Sequence, residues 1–182
     1  MNDGNIYGFA YLVTASPAQT IPIFVNEKWL EQLDETVPET TDELKKLLIK
    51  VRDADLNGNG KADEIPLISN GFSGIVHMFR GSFGIGTRGN TNIDIGPDDK
   101  LRYIPITDEY KQLLMYLNDL YKEKLIYQEI FDADLPAVTA VGEQNQVFMG
   151  VFNIRDYLGE TYKNDFGGVY KPFSSRNLCR KN

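Results

Sequence analysis

The densest run of oxygen-bearing side chains in the sequence is Asp55-Leu56-Asn57-Gly58-Asn59-Gly60-Lys61-Ala62-Asp63-Glu64, and they recur at fixed spacing within one turn. Asp55, Asn57 and Asn59 stand on alternate residues, and Gly60 supplies a backbone free to reverse through the left-handed region. Lys61 falls where a calcium loop contributes a main-chain carbonyl, and Asp63 and Glu64 close the ring. A hard divalent cation takes six to eight oxygens. The expected ligands of one structural Ca²⁺ are therefore Asp55, Asn57, Asn59, Lys61 through its carbonyl, Asp63 and Glu64, with one bidentate carboxylate or a water completing the shell. Asn and Gly also build plain turns, but turn chemistry does not call for six donors in register.

The loop departs from an EF-hand at its twelfth position, which is Pro66 rather than Glu. The bidentate acid must then come from Glu64. Ile65-Pro66-Leu67-Ile68 follows as a strand-like run where an EF-hand would place its exiting helix. A site between a helix and a strand has no second helix to swing, so it reads as a clamp rather than a sensor.

Other chemistry has little material. One histidine, His77, and one cysteine, Cys179, leave no Cys/His zinc site, no Ser-His-Asp set and no disulfide framework. The acid pairs Asp98 and Asp99, and Asp132 and Asp134, sit on polar turns and read as solvated faces and caps rather than a glycosidase dyad. Gly84, Gly86 and Gly89 lack the strand-helix setting and the Lys-Ser/Thr of a phosphate cradle. No enzyme is expected.

The elements around the loop follow from apolar spacing. Ile6 to Val13 reads as a strand, and Ile23-Phe24-Val25 as a second one leading into a short helix from about Glu27 to Leu33. Trp29, in phase with Leu30 and Leu33, reads as core. Thr40 and Glu43 form a capping box, and Leu44, Leu47, Leu48 and Val51 make the apolar face of a helix that runs into the loop. Ser69 to Gly74 reads as a turn, and Ile75 to Phe83 as a helix stopped at Gly84, with His77 structural. Ile93, Ile95, Leu101, Tyr103 and Ile104 suggest a β-hairpin with a long turn. Thr107 caps the longest helix, roughly 108–123, with Tyr110, Leu113, Leu114, Leu117, Leu120 and Tyr121 on one face. Residues 127–146 are weakly patterned, with Pro136 and Gly142 as breaks, before a buried strand at 147–152.

The chain has 182 residues, 42% hydrophobic and 25% charged, ordinary for a globular protein of one or two modest cores. Its net charge of −7 argues against nucleic-acid or anionic-membrane binding. No stretch approaches the roughly 20 apolar residues of a membrane span.

The loop at 55–66, behind the helix opened by Pro38-Glu39-Thr40-Thr41-Asp42-Glu43-Leu44, resembles that of the extracellular solute-binding proteins (family 1) of ABC transporters. More narrowly, it is similar to their large carbohydrate-binding lipoproteins with a calcium loop. Asp3-Gly4-Asn5-Ile6-Tyr7-Gly8, Asn26-Glu27-Lys28-Trp29-Leu30, Phe83-Gly84, and the run from Thr107-Asp108-Glu109-Tyr110-Lys111 to Leu120-Tyr121-Lys122-Glu123-Lys124-Leu125-Ile126 carry the same resemblance, over about residues 3 to 152.

That resemblance implies an α/β fold of the periplasmic-binding-protein-like type II class, with this chain supplying mostly one lobe of two. Residues 1–14 would be a hinge or inter-lobe strand, 15–152 the lobe carrying the calcium loop, and 153–182 an atypical tail partly returning toward the other lobe. It implies a monomer that binds a carbohydrate between lobes, passes it to ABC permease subunits, and works at the extracellular face or in the periplasm. Membrane attachment would come only through a lipid anchor outside this sequence. The alternative is a surface polysaccharide-binding module unconnected to transport. Aromatic faces stack on sugars and polar groups bond their hydroxyls. By position after predicted strands or in glycine-bearing loops, Tyr11, Phe72 and Phe83, with Asn70 and Arg88, are the expected solute contacts.

Overall fold

The computed structural model of the chain describes residues 23–86, 92–151, 158 and 162–169. The expected strand at 6–13, the nominated Tyr11 and Arg88, and Cys179 lie outside the described residues.

β1 (Ile23–Asn26) leads directly into α1 (Glu27–Gln32), because the Asn26 side chain caps the helix by accepting from the Trp29 amide at 3.1 Å. α2 (Thr41–Arg52) opens on the expected capping box: Thr40 Oγ1 accepts from the Glu43 amide, and Glu43 Oε2 accepts from the Thr40 amide, both at 3.1 Å. Leu44, Leu47, Leu48 and Val51 are all buried. After the polar loop comes β2 (Ile65–Ile68), then α3 (Phe72–Arg80), a 3₁₀ turn at Gly81–Phe83, and a hairpin of β3 (Ile93–Ile95) and β4 (Leu101–Tyr103). α4 (Asp108–Lys122) starts on Thr107, whose hydroxyl accepts from the Tyr110 amide. α5 (Leu135–Glu143), β5 (Val147–Val151) and β6 (Phe166–Val169) complete the described order.

The four-stranded sheet runs β2-β5-β1-β6. β2 and β5 are parallel, whereas β1 is antiparallel to both β5 and β6. Pro66 can sit in β2 because β2 is an edge strand. The larger core packs α1 to α4 on one side of the sheet, with Trp29 stacked parallel to Phe148 at a ring separation of 6.4 Å. A smaller cluster of Ile68, Val138, Val147, Leu158 and Phe166 covers the other side. Trp29 is a core residue, as its helical phase indicated.

The structure corrects three local readings and adds a strand. The turn expected at Ser69–Gly74 ends early, since Gly71, at φ +86°, already caps a helix starting at Phe72. Pro136 and Gly142 do not break the 127–146 stretch: Asp134 accepts from the Ala137 amide, Pro136 lies in the first turn where its missing N–H costs nothing, and the helix continues over a buried Gly142. Leu114 is exposed rather than part of the α4 core face, which is Leu113, Leu117 and Leu120. Part of the tail, Phe166–Val169, is a strand of this same sheet, so the sheet extends beyond residue 152.

Candidate functional site

α2 ends at Arg52, and the chain then folds around the carboxylate of Asp55. Its Oδ1 accepts from the amides of Gly58 (2.8 Å) and Asn59 (3.1 Å), and its Oδ2 from that of Gly60 (2.8 Å). Asn57 Oδ1 accepts from the Asn59 amide and Asn59 Oδ1 from the Lys61 amide. Gly58 and Gly60 take φ of +78° and +83°, which is why glycine recurs there. Asp63 accepts from Asn59 Nδ2 at 3.0 Å, from Asn57 Nδ2 at 3.4 Å, and from Gln146 Nε2 at 3.0 Å. Burial pushes the Asp63 carboxyl up, but the bonds from Asn59, Gln146 and Asn57 and the charge of Lys61 together hold it below its ordinary value, so it is ionised at neutral pH.

Glu64 is the informative member. It is 6% exposed, and its Oε1 accepts from the amides of Leu56 (2.6 Å) and Asn57 (3.1 Å). Its Oε2 is buried with no hydrogen-bond partner. A buried carboxylate oxygen left unserved is costly, and a cation is one partner that would serve it. No three His, Cys, Asp or Glu side chains converge as a metal cluster among the described residues. The six expected donors include only three acids, and in this geometry the Asn57 and Asn59 amides occupy Asp63 by donating to it. Gln146 was not foreseen; it stands immediately before β5, 83 residues from its partner, and no local spacing could reveal it.

The loop also joins three elements. It follows α2 and leads into β2, and the Ile65 amide donates to the Gln146 carbonyl at 2.7 Å beside β5.

Of the nominated solute contacts, Asn70 is exposed and Phe72 half-buried, both just past the carboxyl end of β2. Phe83 is placed in the core, 8% exposed, with its ring 5.7 Å from that of Tyr116. Beside Phe72 stands Phe131, whose ring is 5.0 Å from Phe72 and 5.5 Å from Tyr121 while the residue stays 62% exposed. It sits in the weakly patterned stretch, where apolar spacing gave no signal. His77 is half-buried, and burial and then the nearby Arg80 charge hold its imidazole below its ordinary value. It joins no cluster of potential ligands among the described residues.

This architecture, a mixed sheet with a parallel pair flanked by helices, matches about a third of the length of the periplasmic-binding-protein-like solute-binding proteins, and the chain is similar to those of ABC transporters. It is 30% identical over 193 aligned residues to the fructooligosaccharide ABC transporter substrate-binding protein FusA of Streptococcus pneumoniae, covering 99% of this chain and 35% of that protein. The solved structure of the pneumococcal protein with kestose matches with a TM-score of 0.72 at 26% identity, over 86% of this chain and 32% of the other. A solute-binding protein of Bifidobacterium longum infantis described as binding HMO matches with a TM-score of 0.74 at 26% identity, over 86% and 34%. A further form of the pneumococcal protein, 24% identical, is described as an EF-hand mutant. No family model matches the sequence. The chain spans about a third of the length of these relatives. They are described as substrate-binding or solute-binding proteins of ABC transporters. No helix among the described residues is long and apolar enough to cross a membrane.

Proposed function

We propose that this chain forms one lobe of an extracellular solute-binding component of an ABC importer, which captures an oligosaccharide between two lobes and delivers it to permease subunits without chemistry. Residues 1–14 would serve as a hinge strand and 15–152, extended by β6, as the lobe. The similarity over 99% of the chain to a fructooligosaccharide-binding relative is the observation that carries this reading. It agrees with the acidic net charge, which favours a neutral solute over an anionic one. Asn70 and Phe72 are the proposed solute contacts among the described residues, with Tyr11 and Arg88 nominated outside them, while Phe83 is buried beside Tyr116. The similarity to transport proteins supports a working place at the extracellular face or in the periplasm.

Asp55, Asn57, Asn59, the Lys61 carbonyl, Asp63 and Glu64 would hold one Ca²⁺. The ion would neutralise the loop carboxylates and supply the partner that Glu64 Oε2 lacks. Its role is structural, fastening α2 to β2 and β5.

Saturation-transfer NMR on the 182-residue chain with kestose, maltotriose and laminaribiose, each in calcium-containing buffer, tests the solute reading. A two-lobe binder needs both walls of its cleft, so weak binding of at least one sugar is expected. Absence of transfer to every sugar would sink the reading. Tight binding of long cell-wall glycans in preference to these short sugars would favour a surface polysaccharide module instead.

A further inference from the structure

We propose that the exposed ring of Phe131 is a stacking platform for one ring of a neutral saccharide, a subsite that rests on the solute-binding reading above and adds a residue to it. A single exposed aromatic is ordinary on a protein surface. Phe131 differs in how it is held. Phe72 lies 5.0 Å away at an interplanar angle of 34°, and Tyr121 meets the ring edge-on at 5.5 Å and 69°. Two aromatic neighbours fix the ring's tilt, yet 62% of the residue still faces solvent.

The turn that carries Phe131 is pinned as well. The Tyr127 amide donates to the Leu67 carbonyl of β2 at 2.9 Å, and the Tyr121 hydroxyl donates to the Gln128 carbonyl at 2.9 Å. Gln128 Nε2 returns bonds to the carbonyls of Tyr121 and Ile126, and buried Ile130 anchors the residue next to Phe131. A flat apolar face held this firmly costs no ordering when a ligand arrives.

Its location selects the occupant. Phe72 opens α3 just past the carboxyl end of β2, and β2 runs parallel to β5. Ligands of open α/β sheets bind outside the carboxyl ends of such strands. Polar side chains on or beside the turn include Glu129, steadied by the Tyr127 hydroxyl at 3.0 Å, Asp132 and Asn70, all exposed, with Lys122 and Lys124 at the end of the preceding helix. Carboxylates accept from sugar hydroxyls and repel anions. A hydroxyl-rich neutral ring with one apolar face satisfies both halves of this surface.

The test uses the same three sugars on wild-type chain, Phe131→Ala, Phe131→Leu and Phe131→Trp, with ring resonances followed in protein carrying ¹³C-labelled phenylalanine. Binding should shift the Phe131 ring signal. Phe131→Ala and Phe131→Leu should each weaken binding by about tenfold, since leucine keeps apolar bulk but not the flat face, and Phe131→Trp should retain it. Wild-type binding that persists unchanged in Phe131→Ala overturns the subsite and leaves the solute reading standing. A leucine variant that binds like wild type also overturns it, reducing Phe131 to a hydrophobic cover. No binding by the wild type overturns both.

Discussion

Asp94 and Glu64 are both buried carboxylates beside a reversal of the chain, at 2% and 6% exposure, and they are served in opposite ways. Asp94 receives Arg102 through Nε at 2.6 Å and Nη2 at 2.9 Å, and the Gly86 amide at 2.8 Å. Arg102 holds the Asp94 carboxyl below its ordinary value, against the burial that raises it. Glu64 has two backbone amides on one oxygen and nothing on the other. The hairpin has its cation built in, whereas the calcium proposed for the loop would have to come from solution. Breaking the first should therefore act alike at any calcium level, whereas breaking the second should cost more when calcium is present.

The largest effect is expected from Arg102→Met. It strands a buried carboxylate, and removing one partner of a buried pair costs about 3 kcal/mol or more. Arg102 also bonds the Gly84 carbonyl at 2.8 Å and lies 3.2 Å from Glu109, so three elements loosen together. A melt followed by circular dichroism should fall by roughly 6–12 °C. A fall below about 2 °C would show that the pair is dispensable. Adding Asp94→Asn to Arg102→Met should recover part of the loss, because the stranded charge is gone.

Calcium comes next. At about a hundredfold excess over its Kd, a bound ion stabilises by about 2.7 kcal/mol, raising the melting temperature by roughly 5–10 °C over chelator-treated protein. Glu64→Gln and Asp55→Ala should each remove most of that shift, while Arg102→Met should keep it on a lower baseline. An unchanged melt in calcium and chelator would sink the metal assignment.

These two sites were not equally legible from the chain. Asp55 to Glu64 are contiguous, so their register is readable directly. The hairpin's strands were readable too, but not their facing: Ile93, Ile95, Leu101 and Tyr103 turn outward, and Asp94 turns in to meet Arg102. Period-two alternation is the same whichever face is buried, and only the ion pair decides. α2 and α4 declared themselves through caps and apolar stripes. α5 did not, because Pro and Gly punctuate helices as well as loops, and its position over the smaller core comes from Val138 packing with Val147 and Phe166. Gln146 and Phe131 act through partners distant in sequence, which local pattern cannot encode.

A smaller effect is the pH dependence of the Asp94 pair. A carboxyl whose folded pKa is depressed contributes stability that is present above its unfolded value, about 3.9 for Asp, and lost as pH falls through the folded value. For Asp94 this places the loss below about pH 4. Urea unfolding between about pH 2 and 5 should show stability falling with acid, and less steeply in Arg102→Met, which removes the cause of the depression. Equal slopes in both proteins would mean that Arg102 does not set the titration of Asp94.

The finest contrast lies in two glycines. At Gly60 an added Cβ meets nothing within 4 Å, but φ is +83°. Gly60→Ala therefore tests backbone handedness alone, and left-handed alanine costs about 1 kcal/mol. At Gly96, where no positive φ is required, a Cβ would lie 3.0 Å from Asp98 Oδ1 and 3.3 Å from Arg102 Cδ. Asp98 is an exposed side chain that can turn away, whereas Arg102 is held by Asp94, so relief must come from Asp98. Gly96→Ala should then cost only a few tenths of a kcal/mol, with the lower backbone entropy of the unfolded alanine chain offsetting part of the crowding. Chemical denaturation of both variants, with and without calcium, resolves the pair. Gly60→Ala should also weaken the calcium-dependent shift, because the Gly60 amide holds Asp55 Oδ2 at 2.8 Å. A Gly96→Ala loss exceeding that of Gly60→Ala would mean that the hairpin turn, not the polar loop, is the less forgiving reversal.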